Sequence, residues 1–171
     1  WYTMYMKQSN NVLFNLLDPH DTERLMNRFH DLDIFYQQLA ILFTLPGSPC
    51  IYYGTEIAME GGFDPDCRRC MPWEEIDSGK YQDRIGQMQT LIRLRKTEDT
   101  FSSLHFHFPN EYDNRRCVQY IKIDEQQNKT EVIVNCSDEP VTVGESGEVL
   151  FERRLEGGKL LPKGTLIRRI A

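Results

Sequence analysis

The sequence has no long apolar run. Its longest hydrophobic stretch, around residues 39–46, is far shorter than the ~20 residues that a membrane-spanning helix requires. It also shows no basic segment followed by an apolar core, the pattern of a secretory signal peptide. We therefore expect a soluble protein with no membrane partner. Because Trp1 is not an initiator residue, we also expect the chain to be an excerpt of a longer polypeptide.

Positive charge and paired cysteines are also scarce. There are 20 Lys and Arg residues against 26 Asp and Glu residues, and no basic block could neutralise a row of phosphates. We therefore expect no nucleic-acid partner. The five cysteines are irregularly spaced, and the C-x-x-C of Cys67 and Cys70 has no second close pair to complete a zinc ribbon. Reduced thiols are the simplest interpretation, and they favour a cytoplasmic location.

The first half of the chain has the pattern of strands alternating with helices. The apolar run 11–17 and the segment CIYYG, residues 50–54, have the composition of short buried strands. Apolar residues at helical spacing predict helices over about 33–44 and 82–96. This order predicts parallel strands joined by crossover helices. The polar loop over 55–80 is long enough to indicate a functional role.

The second half changes to short alternating runs separated by turn residues. These runs lie at 104–108, 117–123, 131–135, 141–143, 148–152 and 165–170. Alternation with frequent turns predicts an antiparallel β-sandwich. The fold class is therefore α/β plus all-β, with an α/β domain over residues 1–97 and a β-sandwich over residues 98–171. Two parallel strands alone leave the edges of their sheet exposed and unpaired. We therefore expect the first domain to be part of a larger one.

A histidine and an aspartate follow the first predicted strand, in LLDPHDTER, residues 16–24. Side chains at the C-terminal end of a buried parallel strand lie where α/β barrels have their active sites. The alternative is structural: Asp21, or Thr22 beside it, caps the next helix, and His20 packs at the end of the strand. These residues alone leave both interpretations open.

LLDPHDTER resembles the last short motif of the α-amylase family of glycoside hydrolases. LPGSPCIYYGTE, residues 45–56, is similar to the final barrel strand of that family. GGFDPDCRRCMPW, residues 61–73, resembles the following loop in neopullulanases, cyclomaltodextrinases and maltogenic amylases. The resemblance implies the last two β/α units of a (β/α)8 barrel, followed by the C-terminal β-sandwich of these enzymes.

The resemblance also implies roles for individual residues. Asp21 occupies the position of a catalytic carboxylate that stabilises the transition state of a retaining glycosidase. His20 would bind hydroxyls of the same sugar, and Asp64 and Arg68 would hold the neighbouring glucose unit. Arg24 would steady the loop around Asp21. The nucleophile and the acid of the family come from earlier barrel strands, so we expect this chain alone to be inactive.

The expected partners follow from the same resemblance. They are an α-glucan or maltooligosaccharide substrate, the rest of the barrel in the parent chain, and a second copy of the parent in a homo-oligomer. No cofactor is expected in this chain, with calcium a candidate for the parent. Tyr52, Tyr53 and Glu56, at the end of the last barrel strand, are assigned to packing and left out of the site.

Other functions fit parts of the sequence. The β-sandwich could be a carbohydrate-binding or structural module without catalysis, and its candidate sugar-contacting aromatics are Phe101, Phe106, Phe108 and Tyr112. The His20-Asp21 pair could belong to a metal-dependent phosphohydrolase, with further ligands from His30, His105 and His107. A redox role for the C-x-x-C is disfavoured, because it does not lie between a strand and a helix.

Overall fold

The computed structural model describes residue 4 and residues 6–109, 111–112 and 116–171. Its helices are α1 (Lys7–Asn10), α2 (Leu25–Phe29), α3 (Leu32–Thr44), α4 (Trp73–Asp77), α5 (Gln82–Thr97) and α6 (Asp99–Ser102). Its strands are β1 (Phe14–Leu16), β2 (Ser48–Cys50), β3 (His105–His107), β4 (Cys117–Ile123), β5 (Lys129–Asn135), β6 (Val141–Thr142), β7 (Glu148–Glu156) and β8 (Lys159–Ile170). The described helices thus lie in the first part of the chain, and most of the strands lie in the second.

The first half contains a parallel pair of strands. β1 pairs with β2, with Phe14 opposite Ser48 and Leu16 opposite Cys50, which confirms the predicted strand, helix and strand order. Both strands are shorter than predicted, and β2 precedes residues 51–54, because β1 ends at Leu16 and offers them no further pairing positions. The prediction that the first strand is buried on both faces is wrong for this chain, since Phe14 is 70% exposed.

The two long helices match their predicted spans. A side-chain cap begins α3: the Asp31 carboxylate accepts the N–H groups of Asp33 and Ile34 at 2.9 and 3.2 Å, donors that the first turn leaves unpaired. The helix ends just before Pro46. Helix α5 buries Leu91 completely. None of the described helices combines the length and the apolarity that a bilayer crossing requires.

The loop predicted over residues 55–80 is partly helical. It contains 3-10 turns over Thr55–Ile57 and Asp66–Arg68, followed by α4. The second 3-10 turn contacts the segment that follows β1, because the Cys67 thiol and the Arg68 guanidinium both donate to the His20 backbone oxygen.

All strands of the second half that the structure describes join one antiparallel sheet. β8 is its central strand: it pairs with β5 and β6 along one edge and with β7 along the other. β4 joins β5, and β3 completes the order. Register shifts in β7, between Val149 and Phe151 and between Arg153 and Leu155, interrupt regular pairing with β8. The antiparallel β half is thus confirmed, whereas its division into the two layers of a sandwich stays a prediction.

One hydrophobic core joins the helices to this sheet. Its fully or almost fully buried members include residues from both halves of the chain: Phe35, Tyr36, Leu39, Phe43, Leu91, Phe101, Tyr120, Val132, Val134, Phe151 and Ile167. Polar contacts cross the same boundary, because the Gln37 side chain of α3 donates to the backbone oxygens of Asn135 and Gly164 at 2.9 and 3.2 Å. Helix α3 therefore packs on the sheet as part of a single core.

A buried lysine lies where the two halves meet. Lys122 of β4 is fully buried, and its Nζ donates to the backbone oxygen of Ser103 and lies 3.9 Å from the centre of the Phe106 ring. Burial, with a smaller contribution from the nearby Arg95 guanidinium, lowers the pKa of Lys122 to about 7. Burial disfavours the charged form because the interior solvates an ammonium group poorly.

This lysine should make the stability of the chain depend on pH. The folded state has the lower pKa, so between about pH 7 and the ordinary lysine pKa near 10.5 the unfolded chain binds more protons, and stability rises with pH. Between pH 7 and pH 9 the gain attributable to Lys122 should be about 2 kcal/mol. Urea unfolding of Lys122→Met should show a correspondingly flatter pH dependence than the parent chain. Equal slopes in the two proteins would contradict this assignment.

Candidate functional site

Four residues named from the sequence lie together at the C-terminal end of β1. The Nε2 atom of His20 lies 3.0 Å from Oδ1 of Asp21, and Nη2 of Arg68 lies 3.6 Å from the same oxygen. Arg68 Nε lies 3.1 Å from Oδ1 of Asp64 and donates to the backbone oxygen of His20 at 3.2 Å. The loop after β2 thus brings a guanidinium and a second carboxylate to the His20-Asp21 pair. The roles of these residues toward a sugar stay predictions.

The exposed position of this cluster suits a ligand-binding role. The side chains of His20, Asp21, Asp64 and Arg68 are 55%, 69%, 57% and 47% exposed. In the described part of the chain no group bonds the Oδ2 atom of Asp21 or the Nδ1 atom of His20. The cluster therefore presents a free carboxylate oxygen, an imidazole nitrogen and a guanidinium to the solvent, all of which can bind sugar hydroxyls.

The interpretation of Asp21 or Thr22 as a helix cap is wrong. Helix α2 begins at Leu25, and the Leu25 N–H donates to Oδ1 of Asp18 at 2.8 Å. Among the described contacts, the Asp21 carboxylate meets His20 and Arg68 and accepts no N–H group of this helix. The capping carboxylate is thus a different residue, and Asp21 is left available for another role.

Arg24 is the buried anchor beneath the cluster. Its side chain is 0% exposed, and it donates to the backbone oxygens of Cys67 and Tyr53, both at 2.7 Å. Its Nη1 atom lies 3.7 Å from Oδ2 of Asp18, which also accepts the Thr55 hydroxyl at 2.9 Å. Arg24 thus ties the segment after β1 to the segment after β2 and to the following loop. This arrangement agrees with the structural role expected for it.

The loop that carries Asp64 and Arg68 is closely packed on Arg24. A Cβ atom at Gly61 would lie 2.8 Å from the Asp66 backbone oxygen and 3.1 Å from Cγ of Arg24, so only glycine fits there. Asp66 accepts the Gly62 N–H at 2.6 Å and two bonds from Arg69 at 2.6 and 2.7 Å. The Arg69 guanidinium, with the Gly62 N–H, lowers the pKa of Asp66. These contacts fix the loop conformation from within.

Sequence reasoning missed two residues that build the site. Asp18 is 3% exposed and joins α2, Arg24 and Thr55. Cys67 is completely buried, and its thiol donates to the His20 backbone oxygen at 3.0 Å. A carboxylate buried at the end of an apolar strand needs hydrogen-bond or ion-pair partners. This requirement could have identified Asp18 as a residue that holds the site together.

The aromatic residues proposed for sugar binding in the second half are mostly used in packing. Phe101 is 0% exposed, so its assignment as a sugar contact is wrong. Phe106 lies against Lys122, and the Tyr112 hydroxyl donates to the Thr142 backbone oxygen at 3.2 Å. Phe108 remains 63% exposed, stacked on Phe106 with ring centres 5.7 Å apart. One exposed phenylalanine gives little support to a dedicated binding module.

The metal and redox alternatives also find little support. Within the described ranges, no three His, Cys, Asp or Glu side chains come together in a way that could hold a metal ion. His105 and His107 lie on β3 of the sheet, and His30 lies 3.8 Å from the Glu60 carboxylate. The five cysteines are free thiols. In the C-x-x-C pair, Cys67 is buried and Cys70 is exposed, so the two sulfurs differ in accessibility.

Comparisons with known proteins agree with these motifs. The family model described as "Alpha amylase, catalytic domain" matches residues 1–122. A cyclomaltodextrinase from Bacillus sp is 41% identical over 133 residues, which cover 77% of this chain and 23% of that protein. An intracellular maltogenic amylase from Bacillus subtilis is 52% identical over 96 residues, which cover 56% of this chain and 16% of that protein.

The similarity extends to a solved structure. The crystal structure of a maltogenic amylase from S. marinus superposes with a TM-score of 0.75 at 27% identity, and the match covers 91% of this chain and 22% of that one. The chain therefore spans less than a quarter of the length of the curated relatives named above.

Proposed function

Because this chain belongs to the α-amylase family of glycoside hydrolases, we propose that it is the C-terminal portion of a retaining enzyme that acts on α-glucans. The family membership confirms the resemblance inferred from LLDPHDTER and the two later motifs. The single observation that carries the proposal is the convergence of His20, Asp21, Asp64 and Arg68 at one end of the parallel strands.

The proposed roles follow from the chemistry of a retaining glycosidase. Cleavage passes through an oxocarbenium-like state, in which the sugar ring distorts and its hydroxyls change position. The free oxygen of Asp21 would bond hydroxyls of the distorted ring, and such a bond accelerates the reaction only if it strengthens in the transition state. His20 would bind the same sugar through a nitrogen. Asp64 and Arg68 would hold the neighbouring glucose unit.

We propose further that residues 1–97 are the last two β/α units of a (β/α)8 barrel and that residues 98–171 form the C-terminal β domain. The exposed apolar side chains of Phe14 and Leu16 on β1 support this proposal, because a barrel strand inside the complete enzyme would be covered on both faces. The nucleophile and the acid would come from sequence outside this chain. The free cysteines and the intracellular Bacillus subtilis relative support a cytoplasmic location.

The test compares the complete enzyme with this chain. The complete enzyme should hydrolyse a cyclomaltodextrin, and proton NMR during the reaction should show that the new reducing end first appears as the α-anomer, which marks retention. The 171-residue chain alone should release no reducing sugar. Turnover by this chain alone, or a product that first appears as the β-anomer, would contradict the proposal.

A further inference from the structure

A tyrosine that the sequence assigned to packing contacts the candidate site. The Tyr52 ring lies 6.0 Å from the His20 imidazole, centre to centre, at an interplanar angle of 48°. In the described part of the chain, it is the one aromatic ring that contacts His20. Among the described residues, the other side-chain contact of His20 is with Asp21, which is itself largely exposed. Tyr52 is therefore the more firmly held of the two neighbours.

The buried guanidinium of Arg24 holds the Tyr52 ring in place. The Cζ atom of Arg24 lies 4.3 Å from the centre of the Tyr52 ring, a cation–π distance. Tyr53 meets Tyr52 edge-on, with ring centres 4.5 Å apart, and lies 4.9 Å from the same guanidinium. Because Arg24 is fully buried and bonded to two backbone oxygens, its guanidinium is a fixed support for the ring above it.

We propose that Tyr52 is a positioning residue, whose ring transmits the fixed position of Arg24 to the His20 imidazole. This inference rests on the proposed function, because it explains how an exposed histidine is kept ready for a sugar. Nε2 lies 3.0 Å from the Asp21 carboxylate, and a negative charge so close favours the neutral tautomer that carries its proton on Nε2. Nδ1 is then an acceptor that faces away from Asp21 and can bind a sugar hydroxyl.

The ring of Tyr52 limits the other orientations of the imidazole. An exposed histidine side chain rotates freely about two bonds, and each unproductive orientation removes Nδ1 from its place. Holding a binding group in one orientation before the substrate arrives lowers the cost of binding and of reaching the transition state. The packing of a ring, rather than a hydrogen bond from the Tyr52 hydroxyl, supplies this restraint. The inference therefore predicts that phenylalanine can replace Tyr52.

The first measurement is independent of activity and uses this chain. Long-range proton–nitrogen NMR spectra of the imidazoles, recorded at about pH 8 where a histidine is ordinarily neutral, report the tautomer, and a His20→Gln variant assigns the His20 signals. We expect the Nε2-protonated tautomer in the parent chain and in Tyr52→Phe. Tyr52→Met, which keeps a long apolar side chain but removes the ring, should give mixed tautomers. Tyr52→Leu offers a second ringless side chain if Tyr52→Met does not fold.

The matched control is Tyr53→Met. Tyr53 shares the Arg24 support and donates its hydroxyl to the Arg69 backbone oxygen at 2.9 Å, but its described contacts do not include His20. This variant should lose a similar amount of packing and keep the His20 tautomer. Unchanged His20 signals in Tyr52→Met, or equal changes in Tyr53→Met, would overturn the inference.

The second measurement uses the complete enzyme. Tyr52→Met should lower kcat/KM for an α-glucan about 10-fold or more, while Tyr52→Phe should stay within about twofold of the parent. A loss in Tyr52→Phe equal to that in Tyr52→Met would overturn the inference, because it would assign the effect to the hydroxyl. If the complete enzyme cleaves no glycoside, the proposed function fails, and the tautomer measurement still decides the role of Tyr52.

Discussion

Asp21→Asn should reduce the kcat of the complete enzyme about 1000-fold or more, a loss at the upper end of that measured for single groups that stabilise a transition state. The amide keeps the size of the carboxylate but loses its charge and one acceptor oxygen. The loss should fall mainly on kcat, because the proposed contact strengthens as the sugar ring distorts. Initial rates with a maltooligosaccharide would measure it.

Stability serves as the internal check on this prediction. Asp21 is exposed, and its described contacts are those with His20 and Arg68, so the unfolding midpoint in urea should hardly change. Glu23→Gln is the matched control, because Glu23 lies in the same turn but contacts Asn27 and Arg28 of α2. It should keep nearly full activity. An active Asp21→Asn enzyme would show that the assigned role is wrong.

The second large effect is expected at Arg24, and it concerns stability. Arg24→Met removes a fully buried guanidinium and leaves the Asp18 carboxylate, which is 3% exposed, without its cation. It also leaves the backbone oxygens of Cys67 and Tyr53 without their donors. Removing one partner of a buried ion pair costs about 3–5 kcal/mol, because the remaining charge stays buried. Urea unfolding of the 171-residue chain would measure this loss.

Three further variants make the Arg24 experiment decisive: Arg28→Met, Asp18→Leu, and Arg24→Met combined with Asp18→Leu. Arg28→Met, on the exposed face of α2, removes the contacts of Arg28 with Thr22 and Glu23 and should cost less than about 1 kcal/mol. The double variant of Arg24→Met with Asp18→Leu should be more stable than the sum of the two single losses predicts, because the buried charge has gone as well. Strict additivity would argue against coupling between the two side chains.

Much of the fold could be predicted because it depends on local patterns. The periodicity of apolar residues and the turn residues between elements predicted α3, α5 and β4 almost to the residue. β2 was misplaced because composition cannot show where a neighbouring strand ends, and pairing with β1 stops at Cys50. Local sequence patterns predicted an element correctly only where its position does not depend on pairing with a distant strand.

The candidate site divides in the same way. The motifs brought His20, Asp21, Asp64 and Arg68 into consideration, and the structure brings all four together. The buried support of the site was not predictable. The hydroxyl of Thr55 meets Asp18 across 37 positions of sequence, and the contact of Tyr52 with His20 depends on how β1 and β2 align. Such contacts join residues that are distant in sequence. A local sequence pattern contains one of the two residues and does not show which residue it will contact.

The central position of β8 has a consequence for synthesis on the ribosome. β8 is the last strand along this chain, yet β5, β6 and β7 all pair with it, and α3 bonds the Gly164 oxygen within it. A nascent chain that has not yet released residues 159–170 from the exit tunnel therefore leaves three strands without their common neighbour. Helix α3 is then exposed on the face that the sheet covers. Folding of this region must therefore wait until residues 159–170 have emerged, and a product truncated before them should be recognised and degraded as unfolded.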